Sequence, residues 1–267
     1  MRRAILHCLR CPRCREGALA AAGDPAELLF GPLQCAQCGA SFPVAEGIAD
    51  LTVDRTASKG VQRGLENPFV ARSWERYVRP ALTLAVARRT LDPESETLLY
   101  RSLMGAPEGP VLDLACGPAL FARRLAKDPS GPPVVGMDLS RPMLEEGMAQ
   151  SREANVKVDF VRAQAPDLPF LDDSLGAVLH TGALHLLEEP LPLLREVARV
   201  LRPGGAYVAT TYLPPGFGTA WAHRKLGLHP REEGELRETL DRVGLGCFER
   251  MRMPPFLLVK AQKPRAA

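Results

Sequence analysis

The period of the apolar positions changes along this chain, and the changes predict its elements. From residue 110 onward, short apolar runs alternate with amphipathic stretches. Val111-Leu112-Asp113-Leu114 ends in a small-residue turn, Ala115-Cys116-Gly117-Pro118. A helical pattern follows, and then Val134-Val135-Gly136 closes on Asp138. The pattern predicts strands over about 110–115, 133–138, 156–162, 175–181 and 205–212. Helices fall between them, over about 118–127, 141–153 and 189–201. A helix over about 231–243 and strands near 245–252 and 255–262 complete the reading. Alternating strands and helices imply a parallel sheet with helices on its faces. Ligands in such sheets lie beyond the carboxyl ends of the strands. That draws attention to 115–118, 138–140, 163–165 and 180–185.

Upstream, residues 65–104 read as helical, with Phe69, Val70, Trp74, Tyr77 and Val78 apolar and with Pro80 and Pro93 as breaks. Residues 54–64 are polar and contain glycine, as a linker does. A stretch rich in Pro and Gly spans 213–230 and carries Trp221 and His223; it is expected to be a substrate lid. The predicted division is 1–54, 55–104 as linker and helical cap, and 105–267 as the main domain.

The chain has 267 residues, 46% hydrophobic and 24% charged, which is an ordinary globular composition. A formal charge of +3 is too small to argue for nucleic acid, although Arg2, Arg3, Arg10, Arg13 and Arg15 crowd one end. No apolar run reaches membrane-spanning length, so no membrane insertion is expected. The first residues lack the apolar stretch and cleavage site of a signal peptide, and a cytoplasmic location is expected.

Cysteine spacing adds a metal. Five of the seven cysteines lie in the first 38 residues. Cys11-Pro-Arg-Cys14 and Cys35-Ala-Gln-Cys38 form two C-x2-C knuckles separated by 20 residues. Two such turns suit one tetrahedral Zn²⁺, and a segment this short needs a metal to hold it folded. Cys11, Cys14, Cys35 and Cys38 are the expected ligands, with Cys8 and His7 as alternatives for the first knuckle.

The 110–140 unit points to a nucleoside. Asp138 follows Gly117 by 21 residues, where α/β folds place the carboxylate that holds ribose hydroxyls. A pyrophosphate site needs three glycines and free backbone donors. Here Ala115, Gly117 and Ala119 stand instead, and Pro118 removes a donor. An adenosine cofactor without phosphates fits better, and S-adenosylmethionine is the candidate.

VLDLACGPALFARRLA, VVGMDLSRPML, VRAQAPDLPFLDDSLGAVLHTGALHLLEEP and LLREVARVLRPGGAYVATTY resemble, in order, the successive motifs of class I S-adenosylmethionine-dependent methyltransferases of the small-molecule and quinone type. The resemblance implies a Rossmann-like seven-stranded methyltransferase sheet preceded by a small zinc ribbon. The ribbon, with CGASFPVAEGIADLTVD after it, is similar to zinc-ribbon activators of tRNA and protein methyltransferases and to ribosomal-RNA guanine methyltransferases. The whole arrangement resembles uncharacterised plastid methyltransferases. Carried over residue by residue, the resemblance gives Asp113, Ala115, Cys116, Gly117, Asp138, Leu139, Met143, Gln164, Ala165 and His180 as cofactor neighbours. Gln164 replaces a customary Asp, and Gly176 another.

Methyl transfer needs alignment and exclusion of water, and a base only where the acceptor must lose a proton. His180 and His185 are the candidate bases, with Tyr212 behind them; Cys116 reads as a small filler. A small organic acceptor is expected. The alternatives are an RNA base, from the ribbon and its arginines, and a non-catalytic zinc protein with a vestigial cofactor domain.

Overall fold

The computed structural model describes residues 1–53, 64, 66–87, 92–213 and 227–265. The first unit is built from α1 (Arg3–Leu6), β1 (Leu19–Ala21), β2 (Gly31–Cys35), β3 (Ser41–Ala45) and β4 (Ile48–Asp50). A cap follows: α2 (Pro68–Ser73) runs through a π-helical turn (Trp74–Val78) into α3 (Arg79–Ala87). Then come α4 (Pro93–Met104), β5 (Val111–Leu114), α5 (Leu120–Leu125), β6 (Val134–Asp138), α6 (Arg141–Glu153) and β7 (Val158–Arg162). The chain continues with β8 (Leu175–Thr181), a 3-10 turn (Leu184–Leu186), α7 (Leu191–Val200), β9 (Leu201–Tyr212), α8 (Glu233–Arg242), β10 (Gly246–Met253) and β11 (Phe256–Gln262).

The expected seven strands are present in the order β7-β6-β5-β8-β9-β11-β10. Pairing is parallel from β7 through β9 and antiparallel beyond. The sheet does not stop at β7, however. β4 pairs with β7 in parallel, and β3, β2 and β1 follow, so one eleven-stranded sheet runs through both units. The strand near 205–212 starts earlier than its apolar run suggests, because β9 leaves α7 directly at Leu201. Residues 54–63 of the expected linker, and Trp221 and His223 of the expected lid, lie outside the described residues.

Two apolar layers cover the sheet. One joins Ile5, Leu6, Leu9 and Leu33 of the first unit to Leu168, Phe170, Leu194 and Val197, so the ribbon and the face under α7 share a core. The other packs Tyr100, Phe121, Leu144 and Phe160 under α4, α5 and α6. Local chemistry sets the helix starts. Asp92 accepts from the N–H groups of Glu94 and Ser95, with Pro93 in the first turn of α4, and Ser140 caps α6 through Met143 N–H.

Three arginines bolt the first unit down. Arg2 meets Asp159 at 2.7 Å, Arg10 meets Glu196 at 3.1 Å and Arg15 meets Asp167 at 2.7 Å. Arg3 pairs locally with Asp24. The basic cluster that motivated the alternative of an RNA base is thus largely engaged with carboxylates, most of them on the main domain.

Candidate cofactor site and zinc ribbon

Cys11, Cys14, Cys35 and Cys38 bring their four Sγ atoms within 4.8 Å of one another. The Cys11–Cys38 and Cys14–Cys35 separations are 3.8 and 3.6 Å. Thiolates ~2.3 Å from a tetrahedral Zn²⁺ stand about 3.8 Å apart, so the set fits the ion. Gly17 N–H and Cys38 N–H point at the sulfurs of Cys14 and Cys35, each at 3.5 Å, as knuckle backbones do. Gly17 also has no room for a side chain, since a Cβ there would lie 2.4 Å from Cys35 Sγ. The alternatives for the first knuckle are engaged elsewhere. Cys8 Sγ donates to Ala4 O at 3.2 Å, and His7 Nε2 lies 2.9 Å from Asp24.

The second site forms where β5 and β6 end side by side. Asp138 Oδ2 accepts from Gly117 N–H at 2.9 Å, and Oδ1 accepts from Ser140 N–H at 2.8 Å. Burial raises its pKa above the ordinary carboxylate value, while those N–H groups oppose the rise. Each oxygen keeps a second lone pair for a ligand hydroxyl. Behind the loop, Asp113 is 1% exposed. Its Oδ2 accepts from Ala122 N–H at 3.0 Å, and its Oδ1 has no partner among the described residues. Burial pushes this carboxyl up to about 7, with the Asp138 charge adding to the rise.

The loop between them is tightly wound. Ala115 and Ala119 sit at φ +56° and +61°, in the left-handed region. These are the positions where glycine is customary, and alanine there carries strain. Cys116 packs against β6. A Cβ on Gly136 would lie 2.9 Å from its Sγ, and burial holds its thiol well above the ordinary range. Gly147 on α6 lets that helix touch the loop, since a Cβ there would meet the Pro118 carbonyl at 2.9 Å. Met143 is buried in the first turn of α6, Leu139 is half-buried after Asp138, and Gln164 and Ala165 follow β7 at the same sheet edge.

The pattern gave little warning of Trp74. Its Nε1 lies 4.0 Å from where a Gly117 Cβ would stand, so the π-helical turn brings the indole over the loop. Such turns often mark functional positions. Arg123 locks the cap in place by pairing with Glu75 and by donating to Gln150.

The two histidines differ. His180 is 2% exposed, with Nδ1 3.0 Å from Tyr207 Oη. Burial, with His185 nearby, pushes its imidazole down to about 3. It is a packed, neutral histidine. His185 sits in the 3-10 turn after β8, 6% exposed, and its Nδ1 has no partner among the described residues. Burial pushes it down to about 4. Its ring meets Tyr212 edge-on at 4.2 Å, and Tyr212 packs on Phe256 at 5.1 Å. The chain returns beside it, with His229 N–H donating to His185 O.

The family described as methyltransferase domain matches residues 111–205. The chain is 27% identical over 275 residues to an uncharacterised chloroplastic methyltransferase of Arabidopsis thaliana, covering 95% of this chain and 77% of that one. It is 42% identical over 105 residues to the demethylmenaquinone methyltransferase of Clavibacter sepedonicus, covering 39% of this chain and 42% of that enzyme. The fold is shared with the geranyl diphosphate C-methyltransferase of Streptomyces coelicolor, solved with S-adenosyl-L-homocysteine. There the TM-score is 0.57 and the identity 16%, over 63% of this chain and 75% of that one.

Proposed function

Because the chain carries a class I S-adenosylmethionine-dependent methyltransferase domain, we propose that it methylates a small organic acceptor with a planar or aromatic reacting group. The observation that carries the cofactor assignment is the Gly117–Asp138 junction, with the open oxygen of Asp113 behind it. Asp138 holds the ribose hydroxyls, Leu139, Gln164 and Ala165 border the base, and Asp113 faces the cationic end. Bound S-adenosylmethionine supplies an electrophilic methyl group. The chain's own residues exclude water and align the acceptor. Trp74 and the cap close over the loop, and His185, Tyr212 and Phe256 form an aromatic wall on the acceptor side. Neutral His185 takes up at Nδ1 any proton the acceptor must lose.

The quinone acceptor implied by the name of the Clavibacter enzyme supports a small-molecule acceptor. So does the pairing of Arg2, Arg10 and Arg15 with carboxylates, which removes charge that an RNA backbone requires. The test joins calorimetry with S-adenosylhomocysteine to a radiolabelled-methyl assay on hydroquinones and phenols. Ribosomal RNA is titrated in parallel at two salt concentrations. Cofactor binding with label in a phenolic or quinol product supports the proposal. Salt-sensitive RNA binding with label in RNA replaces it with the RNA-base reading. A protein that binds no cofactor is the non-catalytic zinc protein that Ala115, Ala119 and Gln164 left open.

A further inference from the structure

β4 runs parallel to β7, so its last residue arrives at the ligand-bearing edge of the sheet rather than the opposite one. The register places Asp50 beside Arg162. Asp50 Oδ2 accepts from Arg162 at 2.8 Å, and Oδ1 is held by Thr52 N–H and by the Thr52 hydroxyl at 2.7 Å. Arg162 Nε donates in turn to Leu139 O at 3.0 Å, one residue beyond Asp138. The same strand ends are tied by Ala163 N–H on Asp138 O and by Leu51 N–H on Arg162 O. Arg162 is 7% exposed. An ion pair this buried, with one partner from each unit, does not behave as a surface decoration.

We propose that Asp50 and Arg162 are positioning residues for the nucleoside half of the cofactor, through which the zinc ribbon sets the backbone that presents Asp138 and Leu139. Arg162 is the link. Its planar fork reaches the ribbon carboxylate and the Leu139 carbonyl together, which a lysine point charge does not do. Without the ribbon carboxylate, the guanidinium loses the partner that fixes its direction, and the Leu139 carbonyl loses a fixed donor. The ribbon then acts as a built-in subunit of the cofactor site, beyond its contribution to folding. The inference rests on the cofactor assignment above.

The test uses the full zinc-loaded chain with Arg162→Met, Arg162→Lys, Asp50→Asn and the Asp50→Asn/Arg162→Met double variant. Calorimetry measures Kd for S-adenosylhomocysteine and for 5′-methylthioadenosine, which carries the nucleoside without the amino-acid half. Elemental analysis of zinc reports whether the ribbon stays folded. With zinc retained, Arg162→Met weakens both ligands by a similar factor, about tenfold or more. Asp50→Asn weakens them less, and the double variant is no worse than Arg162→Met alone. Arg162→Lys falls between them and stands in if Arg162→Met does not fold. Variants that bind both ligands within about twofold of the parent overturn the proposal, as do effects that simply add. A parent chain that binds neither ligand overturns the cofactor assignment, and this inference with it.

Discussion

Gly117 N–H donates to Asp138 Oδ2 at 2.9 Å, so the carboxylate at the end of β6 holds the loop that leaves β5. One side chain therefore shapes the loop and offers the remaining lone pairs to a ligand. Asp138→Asn keeps the size and loses the charge. It is expected to weaken S-adenosylhomocysteine binding about 100-fold, or about 3 kcal/mol, and also to lower the melting temperature, because its amide NH2 would face the Gly117 or Ser140 N–H. Calorimetry checks the first number and thermal melting the second; unchanged affinity removes Asp138 from the site.

With Asp113 facing the cofactor as proposed, binding is expected to depend on pH. In the free protein its carboxyl is pushed up to about 7, so near neutrality it is part protonated. A cationic ligand favours the carboxylate and lowers that value. Affinity for S-adenosylmethionine is expected to rise as pH increases from about 6 to about 8, with net proton release on binding. Calorimetry in two buffers of different ionisation enthalpy measures the release. Asp113→Asn flattens the profile, and a flat parent profile refutes the assignment.

The two buried histidines each contribute an acid-sensitive share of stability. His185 and His180 are held down to about 4 and about 3. In the unfolded chain they titrate near ~6.5. At these two sites the unfolded state therefore binds more protons in that interval, and the stability they contribute falls as pH drops through it. The raised Asp113 and Asp138 carboxyls act in the opposite sense in parent and variant alike, so the expected outcome is a difference: below pH ~6.5 the melting temperature of the parent falls relative to that of His185→Gln. Histidine NMR titration checks the site directly. An imidazole of His185 that protonates near neutrality contradicts both the stability claim and its role as a neutral acceptor of protons.

Ala115 and Ala119 sit in left-handed backbone. Ala119→Gly and Ala115→Gly relieve that conformation while freeing the unfolded chain. The relief of strain outweighs the added freedom of the unfolded chain, so each is expected to stabilise by up to about 1 kcal/mol in urea unfolding. Destabilisation by either substitution shows that the loop is unstrained.

Trp74 supplies an optical reading of the closed site. With Trp221→Phe it is the remaining tryptophan, and its emission is expected to change on addition of S-adenosylhomocysteine, saturating at the calorimetric Kd. Unchanged emission places the indole away from the ligand.

Much of the main domain was legible because its strands are buried on both faces and its helices on one, which gives the pattern a clear period. α6 at Arg141–Glu153 and β8 at Leu175–Thr181 fall where the pattern put them. The zinc ligands were legible because a knuckle fixes spacing locally. What was not legible is long-range choice. No period in GIAD or VDFVR states that Asp50 lies opposite Arg162 across more than a hundred residues of chain. The arginines of the first unit looked like a free basic patch because their acids, Asp159, Asp167 and Glu196, lie far away in sequence. His180 and His185 read alike in sequence, and only burial and the Tyr207 hydroxyl tell them apart.

The pairing of β4 with β7 also closes an edge. Without β1 to β4, the strand Val158–Arg162 would present a row of unsatisfied N–H and C=O groups at the rim of the sheet. Such a rim templates strand addition by other chains. At the far rim, β10 carries Glu249, Arg250 and Arg252, charges that discourage such pairing. The ribbon leaves β7 an interior strand, paired on both sides. The same four strands therefore do two things at once, covering the backbone of β7 and the apolar face under α7.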